Sequence, residues 1–455
     1  MTTAPRMVVT PASAVGLSLL AAWLLVARPP FAAGLALVIL GVLILALGYY
    51  APATRVLVYS VLGISATVNL IRRVEVGPMT GYAWLTGLIT VSAVILALAL
   101  PTSSLPAPSR RVLTLMSIFP AWALLSVSLK PPTQSGLQNI LVYVGFASIA
   151  TVSAVATATG AIGFASLRRA FFWTFSAASA LYGASLVLDG MGGTSVVDAR
   201  AYAVFAAIGV AWTAALARYG YRPERRLALA MVALAFLSLS RTGFAVALFL
   251  CVIALVGFDT PRKLGRTVAV LGVVAVLGTA AVIFTNPFAA RFSEPDRVTL
   301  PGGVEVSVSG RQQIWKATWS SALSSPLVGQ GAGSAELAVA AVSSTAGHPH
   351  NDYLRVFHDF GLVGVAFLLV AIASPIAAAA RSLRSAPITE PAVRALHLAS
   401  ILAAFGLALE MITDNSLVYE FVVAPTAVII GASLGTRATR ADARRVSVAP
   451  RRHGP

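Results

Sequence analysis

The sequence predicts an all-α polytopic membrane protein of about twelve to fourteen transmembrane helices with one large extracytoplasmic loop, and three observations predict it. Hydrophobic residues make up 58% of the 455 residues and charged residues only 11%, where a soluble domain usually carries roughly 25%. The mean hydropathy is +0.84. Apolar runs recur along most of the chain, many near the roughly 20 helical residues that cross a hydrocarbon layer about 30 Å thick.

The expected spans are 13–28, 31–49, 55–70, 82–100, 112–128, 137–157, 168–188, 200–218, 225–239, 241–257, 266–285, 354–380, 395–412 and 417–436. Only Ser240 parts the ninth from the tenth. The first run is followed at once by a second and lacks a small-residue cleavage site, so it reads as a crossing and not as a cleaved signal. The chain divides into an N-terminal scaffold over 1–224, a second transmembrane region over 225–436 containing the long loop 286–353, and a basic tail over 437–455.

Orientation follows from the cost of translocating Lys and Arg near helix ends. With the N-terminus inside, most of the 33 basic residues fall on the cytoplasmic side, among them Arg110, Arg111, Arg168, Arg169, Arg225, Arg226 and the six tail arginines. The tail suits anionic headgroups of the inner leaflet, so membrane lipids are expected partners. The net charge of +17 is spread over short loops with no folded basic domain, which argues against nucleic acid. The single cysteine, Cys251, lies inside an apolar run, excludes a disulfide within the chain, and is assigned to packing.

The same orientation sends 286–353 to the outer face, and a loop of this length is more often functional than a connector. Ser309 and Gln312 read as a capping box for a short surface helix with Arg311 in its first turn. Gly329, Gly331 and Gly333 follow as a turn that needs positive φ. The loop ends on His348, Pro349 and His350, and an imidazole is the side chain best suited to take a proton near neutral pH. His348 and His350 could pair on a metal, but no Cys, Asp or Glu cluster completes a zinc set, so a metal-free site with no cofactor is expected.

Further outward polar groups are Ser240-Arg241-Thr242-Gly243, Glu410 with Asp414, Asn415 and Glu420, and the pair Arg72 and Arg73. An Arg or Glu at a helix end inside the membrane is expensive and asks for a partner or an anionic ligand. Two convergent guanidinium forks suit a diphosphate. Asn351, Asp352 and Tyr353 lie beside the histidine and are candidates to support it.

These residues resemble the O-antigen ligase and polymerase group of bacterial membrane glycosyltransferases. The ligase signature is matched by His350 and Asn351, nine residues, Gly361, two residues and Gly364; Ser240–Gly243 is similar to a second family element. The resemblance implies a GT-C-type, O-antigen ligase-like architecture in the cytoplasmic membrane, with the site facing the periplasm or cell exterior. It implies a metal-independent, inverting glycosyltransferase whose donor is a glycan on a polyprenyl diphosphate such as undecaprenyl diphosphate, and whose acceptor is a glycan, a lipid-linked sugar or a protein. On that analogy Arg241 and Arg311 hold the diphosphate and His350 deprotonates the acceptor. Gly361 and Gly364, as small residues, are expected to let helices pack closely. Two other readings stay open: a polysaccharide polymerase of the same family, and a flippase or exporter of lipid-linked sugars, for which the internal repeats of transporters are not visible.

Overall fold

The computed structural model describes residues 50–71, 79–257, 311–343 and 346–447, with short pieces at 75–76, 297–300 and 304–307 and a few positions between 262 and 272. The expected spans 13–28 and 31–49, all but a few positions of 266–285, the capping serine Ser309, and Arg72 and Arg73 lie outside the described residues.

The N-terminal part contributes α1 (Tyr50–Ile71), α2 (Gly81–Ala99), α3 (Ala107–Leu129), α4 (Gln134–Ala158), α5 (Phe164–Asp189) and α6 (Ala199–Arg218). Then come α7 (Arg222–Leu237), α8 (Arg241–Val256), α9 (Arg311–Ala322), α10 (Ser334–Ala340), α11 (Asp352–Ser385), α12 (Pro391–Glu410) and α13 (Glu420–Ser447). The described residues also form two small antiparallel hairpins, β1 (Glu75–Val76) with β2 (Met79–Thr80) and β3 (Arg297–Leu300) with β4 (Val304–Ser307), and two 3-10 turns at Thr102–Ser104 and Ser416–Val418. Among the described residues seven helices are long and apolar enough to cross a membrane, and the apolar stretches Arg241–Val256 and Glu420–Thr436 are shorter. The chain is a multi-pass helical membrane protein.

Composition explains which helices are central. In α6, an alanine-rich helix, 89% of the apolar stretch is buried against protein, whereas α2 buries 28% and faces outward. Helices α7, α8 and α12 pack around α6, and α4 packs along α13. The α4–α13 contact is backbone-close: a Cβ on Gly431 would stand 2.2 Å from the Ala150 carbonyl oxygen, and one on Gly435 2.3 Å from that of Ala154. Small residues let membrane helices associate without a hydrophobic driving force between them. Cys251 is buried in α8.

Side-chain caps gather at one end of the bundle. Thr133 caps α4 by accepting from Gly136 N at 3.0 Å, Asp198 caps α6 through Ala201 N at 2.9 Å, and Asn351 caps α11 through Leu354 N at 2.9 Å. Each satisfies an orphan amide that neither lipid nor another helix would pair. This capped end carries the polar side chains of the candidate site. The opposite end is held by a bridge from Arg168 in α5 to the buried Glu224 in α7.

Candidate active site

The turn between α12 and α13, residues 411–416, is the hub to which four separate parts of the chain reach. From α6, Arg200 Nε donates to Asp414 Oδ2 at 2.7 Å, and its Nη2 lies 2.9 Å from His350 Nδ1. From α9, Arg311 Nη1 donates to the Thr413 carbonyl at 2.8 Å. From α8, the Thr242 and Thr413 hydroxyls are 2.6 Å apart. From α11, Asp352 N donates to the Met411 carbonyl at 2.9 Å. Residues far apart in sequence therefore share one small polar end of an apolar bundle.

The segment Ser240–Gly243 reaches this end because of its small residues. Ser240 is the N-cap of α8, Arg241 opens the helix beside the Thr242–Thr413 contact, and Gly243 lies where a Cβ would meet the Ala203 Cβ at 2.6 Å. That approach seats α8 against the first turns of α6, one turn from Arg200. The preceding turn is tight, with Leu239 at φ 58°.

His350 sits just before α11 in the left-handed region, φ 52°. A non-glycine residue there costs roughly 1–3 kcal/mol and persists when its surroundings dictate it. Here they do: Trp315 Nε1 donates to the Pro349 carbonyl at 2.6 Å on one side, and the Asn351 cap starts α11 on the other. Asn415 Nδ2 lies 3.3 Å from His350 Nδ1 as a second neighbour of that nitrogen. Burial first, then Arg200 and Arg311, pushes the His350 imidazole down to about 4, with Asp414 pulling the other way. The ring is therefore neutral across the physiological range.

The chain around His350 is held by an unwound turn in α11. Gly361 interrupts the helix at φ 68°, ψ −170°, and a Cβ there would stand 2.2 Å from the Leu327 carbonyl oxygen. The amides freed by the break bond to the facing loop, Leu362 N to Pro326 O at 2.8 Å and Val363 N to Leu327 O at 3.2 Å. Gly361, expected at a helix–helix contact, thus lets a loop backbone approach a broken helix, since a left-handed φ is also what glycine supplies. Gly364 faces α3, where a Cβ would stand 3.5 Å from the Trp122 Nε1; that indole nitrogen donates to Phe360 O at 3.1 Å. Gly329, Gly331 and Gly333 all have positive φ, as the sequence predicts. Asp359 then accepts from Gly333 N at 2.9 Å and Ala335 N at 2.8 Å, fixing the start of α10.

Several expected supporting residues do other work. Asp352 forms a fully buried pair with Arg355, accepts from Leu417 N at 2.7 Å, and so ties α11 to the hub instead of orienting His350. The Tyr353 hydroxyl donates to the Ala408 carbonyl at 2.9 Å. His348 Nδ1 lies 3.3 Å from Glu336 Oε1, and its ring centre is 6.5 Å from that of His350. Glu410 is fully buried at the end of α12, and its carboxylate oxygens have no hydrogen-bond partner among the described residues. Among the described residues no three His, Cys, Asp or Glu side chains are grouped to hold a metal ion.

Sequence reasoning missed Arg200, the residue with the most direct hold on His350. A signal was present: a cation in the first turn of an apolar helix, two residues after a capping aspartate, opposes the helix dipole and asks for an explanation.

Fold and site together define a polytopic helical membrane protein with a polar, arginine-rich site at one end of the bundle. Residues 227–369 match the family described as O-Antigen ligase. The matched segment contains Arg241, Arg311, His350, Gly361 and Gly364, while Arg200 and the 411–416 hub lie outside it. No curated protein matches the chain.

Proposed function

We propose that this protein is a glycosyltransferase that moves a glycan from a polyprenyl-diphosphate carrier to an acceptor hydroxyl at the extracytoplasmic face of the cytoplasmic membrane, without a metal and with inversion at the anomeric carbon. The match of 227–369 to the O-antigen ligase family supports transfer of this type. The observation that carries the reading is the convergence of Arg311, the start of α8 at Arg241, and His350 on one turn, residues 411–416.

The chemistry fits that arrangement. A diphosphate leaves carrying negative charge, and fixed cations stabilise charge that develops in the transition state. Arg241 and Arg311 are assigned to the diphosphate, whose oxygens match the guanidinium fork. His350, half-buried and neutral, is assigned to the reacting oxygens between them. Arg72 and Arg73 remain candidates for a further lipid-diphosphate contact.

The test is transfer by purified full-length protein in nanodiscs, with a polyprenyl-diphosphate-linked glycan, candidate acceptors and EDTA. Release of polyprenyl diphosphate with glycosylated acceptor, lost in His350→Ala, supports the reading. One added glycan unit marks a ligase and a ladder of products marks a polymerase. Glycolipid that stays intact and crosses the liposome bilayer regardless of His350 overturns the enzyme reading in favour of a flippase.

A further inference from the structure

We infer that Arg200 is a positioning residue that holds His350 as its Nε2–H tautomer, so that the imidazole meets the reacting oxygens as a hydrogen-bond donor and not as a proton acceptor. This rests on the glycosyl-transfer reading for its chemistry, but its geometric core does not.

A guanidinium has five N–H donors and no acceptor. Arg200 Nη2 stands 2.9 Å from His350 Nδ1, so Nδ1 must present its lone pair. The Asn415 amide nitrogen, 3.3 Å from the same atom, is a second donor with the same demand. A neutral imidazole has one N–H, and with Nδ1 accepting, that proton is on Nε2. Protonating the ring instead would set an Nδ1–H against the guanidinium N–H groups. The charged and titratable groups around the ring are Arg200 from α6, Arg311 from α9, Asp414 from the hub and His348 from its own loop. Asp414, the acid among them, has Oδ2 on Arg200 Nε at 2.7 Å and Oδ1 on Asn415 N at 2.7 Å.

The contrast with a hydrolytic triad is one of polarity. There a carboxylate accepts from Nδ1–H and leaves Nε2 bare to take a proton. Here the carboxylate reaches the ring through Arg200 and Asn415, which exchange an acceptor for donors at Nδ1 and reverse the tautomer. Nothing about α6 requires this cation, since the positive end of the helix disfavours it. Its side chain is instead divided between Asp414 and His350. No described residue bonds to His350 Nε2, which leaves that N–H for substrate.

In the transfer step, the acceptor oxygen bonds to the anomeric carbon as the bond from that carbon to the phosphate oxygen breaks, and the electron pair leaves with the diphosphate. His350 Nε2–H donates to a diphosphate oxygen alongside the arginines. The acceptor's proton passes to another diphosphate oxygen, a base present in every turnover and more basic as its bond to carbon breaks.

The deciding experiment is 15N NMR of histidine-labelled full-length protein in nanodiscs, with the His350 resonances assigned by their loss in His350→Gln. At neutral pH the inference requires a protonated Nε2 and an unprotonated Nδ1; an Nδ1–H resonance overturns it whatever the activity. The functional arm compares two substitutions in the transfer assay. Glutamine places an amide N–H near the position of Nε2–H but takes no proton, so His350→Gln should transfer at least about 10-fold faster than His350→Ala, within the range of one transition-state donor. Equal inactivity of the two, with His350→Gln folded, overturns the donor role. Arg200→Met should release the tautomer toward a mixture and slow transfer about 10-fold or more, with Arg200→Lys recovering part of both; an unchanged tautomer in Arg200→Met overturns the positioning role. If the wild type transfers no glycan, the functional reading fails while the NMR still decides the tautomer.

Discussion

Two arginine–carboxylate bridges tie helices together at opposite ends of the bundle, and they use the same groups differently. Arg168 of α5 meets the buried Glu224 of α7, and its guanidinium lies 4.6 Å over the Tyr221 ring. Salt bridge and cation–π contact both serve packing, so that guanidinium serves to close a helix end. Arg200 of α6 meets Asp414 with Nε and passes Nη2 to the imidazole of His350. The first bridge ends on the face of an aromatic ring and the second on an imidazole nitrogen. A buried ion pair is weak evidence of stability or of function by itself; what its remaining donors touch separates the two cases.

Substitutions at the functional end should break this contrast most strongly. His350→Ala should lower glycan transfer by about 10²–10³-fold while leaving a folded, monodisperse protein, because it removes a preorganised group at the reacting atoms. Arg311→Ala and Arg241→Ala should each cost about 10²-fold in kcat/KM with a polyprenyl-diphosphate donor. A loss of threefold or less at both would remove the proposed diphosphate site. Asp414→Asn leaves a group of similar shape that holds Arg200 less firmly, and transfer should drop about 10-fold, with more effect on kcat than on KM.

The pH profile is a smaller effect with a definite sign. His350 is pushed down to about 4, so its working neutral form should persist and the rate should stay flat from about pH 8 to pH 5.5, falling only as pH drops through about 4. An unperturbed histidine would place that limb near pH 6.5. The same depression makes the unfolded chain take up this proton first, so this residue withdraws stability as pH falls from about 6.5 toward 4. Arg200→Met removes a neighbouring cation and should move the acid limb upward.

Much of the scaffold was legible in the sequence because burial in lipid demands long apolar runs, and the expected spans between 55–70 and 241–257 and over the last three runs coincide with helices. Arg311, Arg241 and His350 could be singled out because a cation or imidazole at a membrane boundary is costly. Arg200 carried a local signal too, a cation at the positive end of an apolar helix, but the partners that give it meaning are 214 and 150 residues away. Spacing marked Gly361 but not its φ of 68°, which depends on a loop backbone arriving at Leu327. Asp352 looked like a neighbour of the histidine, yet the first turn of α11 rotates it inward to Arg355. Local pattern locates costly residues, and only the packing of distant helices shows what they touch.

The structural bridge supplies the smallest expected effect on activity and so the control for all the others. Arg168→Ala leaves Glu224, 1% exposed, without its guanidinium partner, and a buried unpaired carboxylate destabilises a fold more than the intact pair stabilises it. The thermal midpoint should fall by a few degrees. Transfer per folded molecule should stay within about twofold of wild type, because Arg168 lies beyond the far end of α6 from Arg200 and shares no partner with it, and separate sites act additively. A rate loss matching that of Asp414→Asn would mean that the two ends of the bundle are coupled through α6, and the division between a packing bridge and a functional one would then fail.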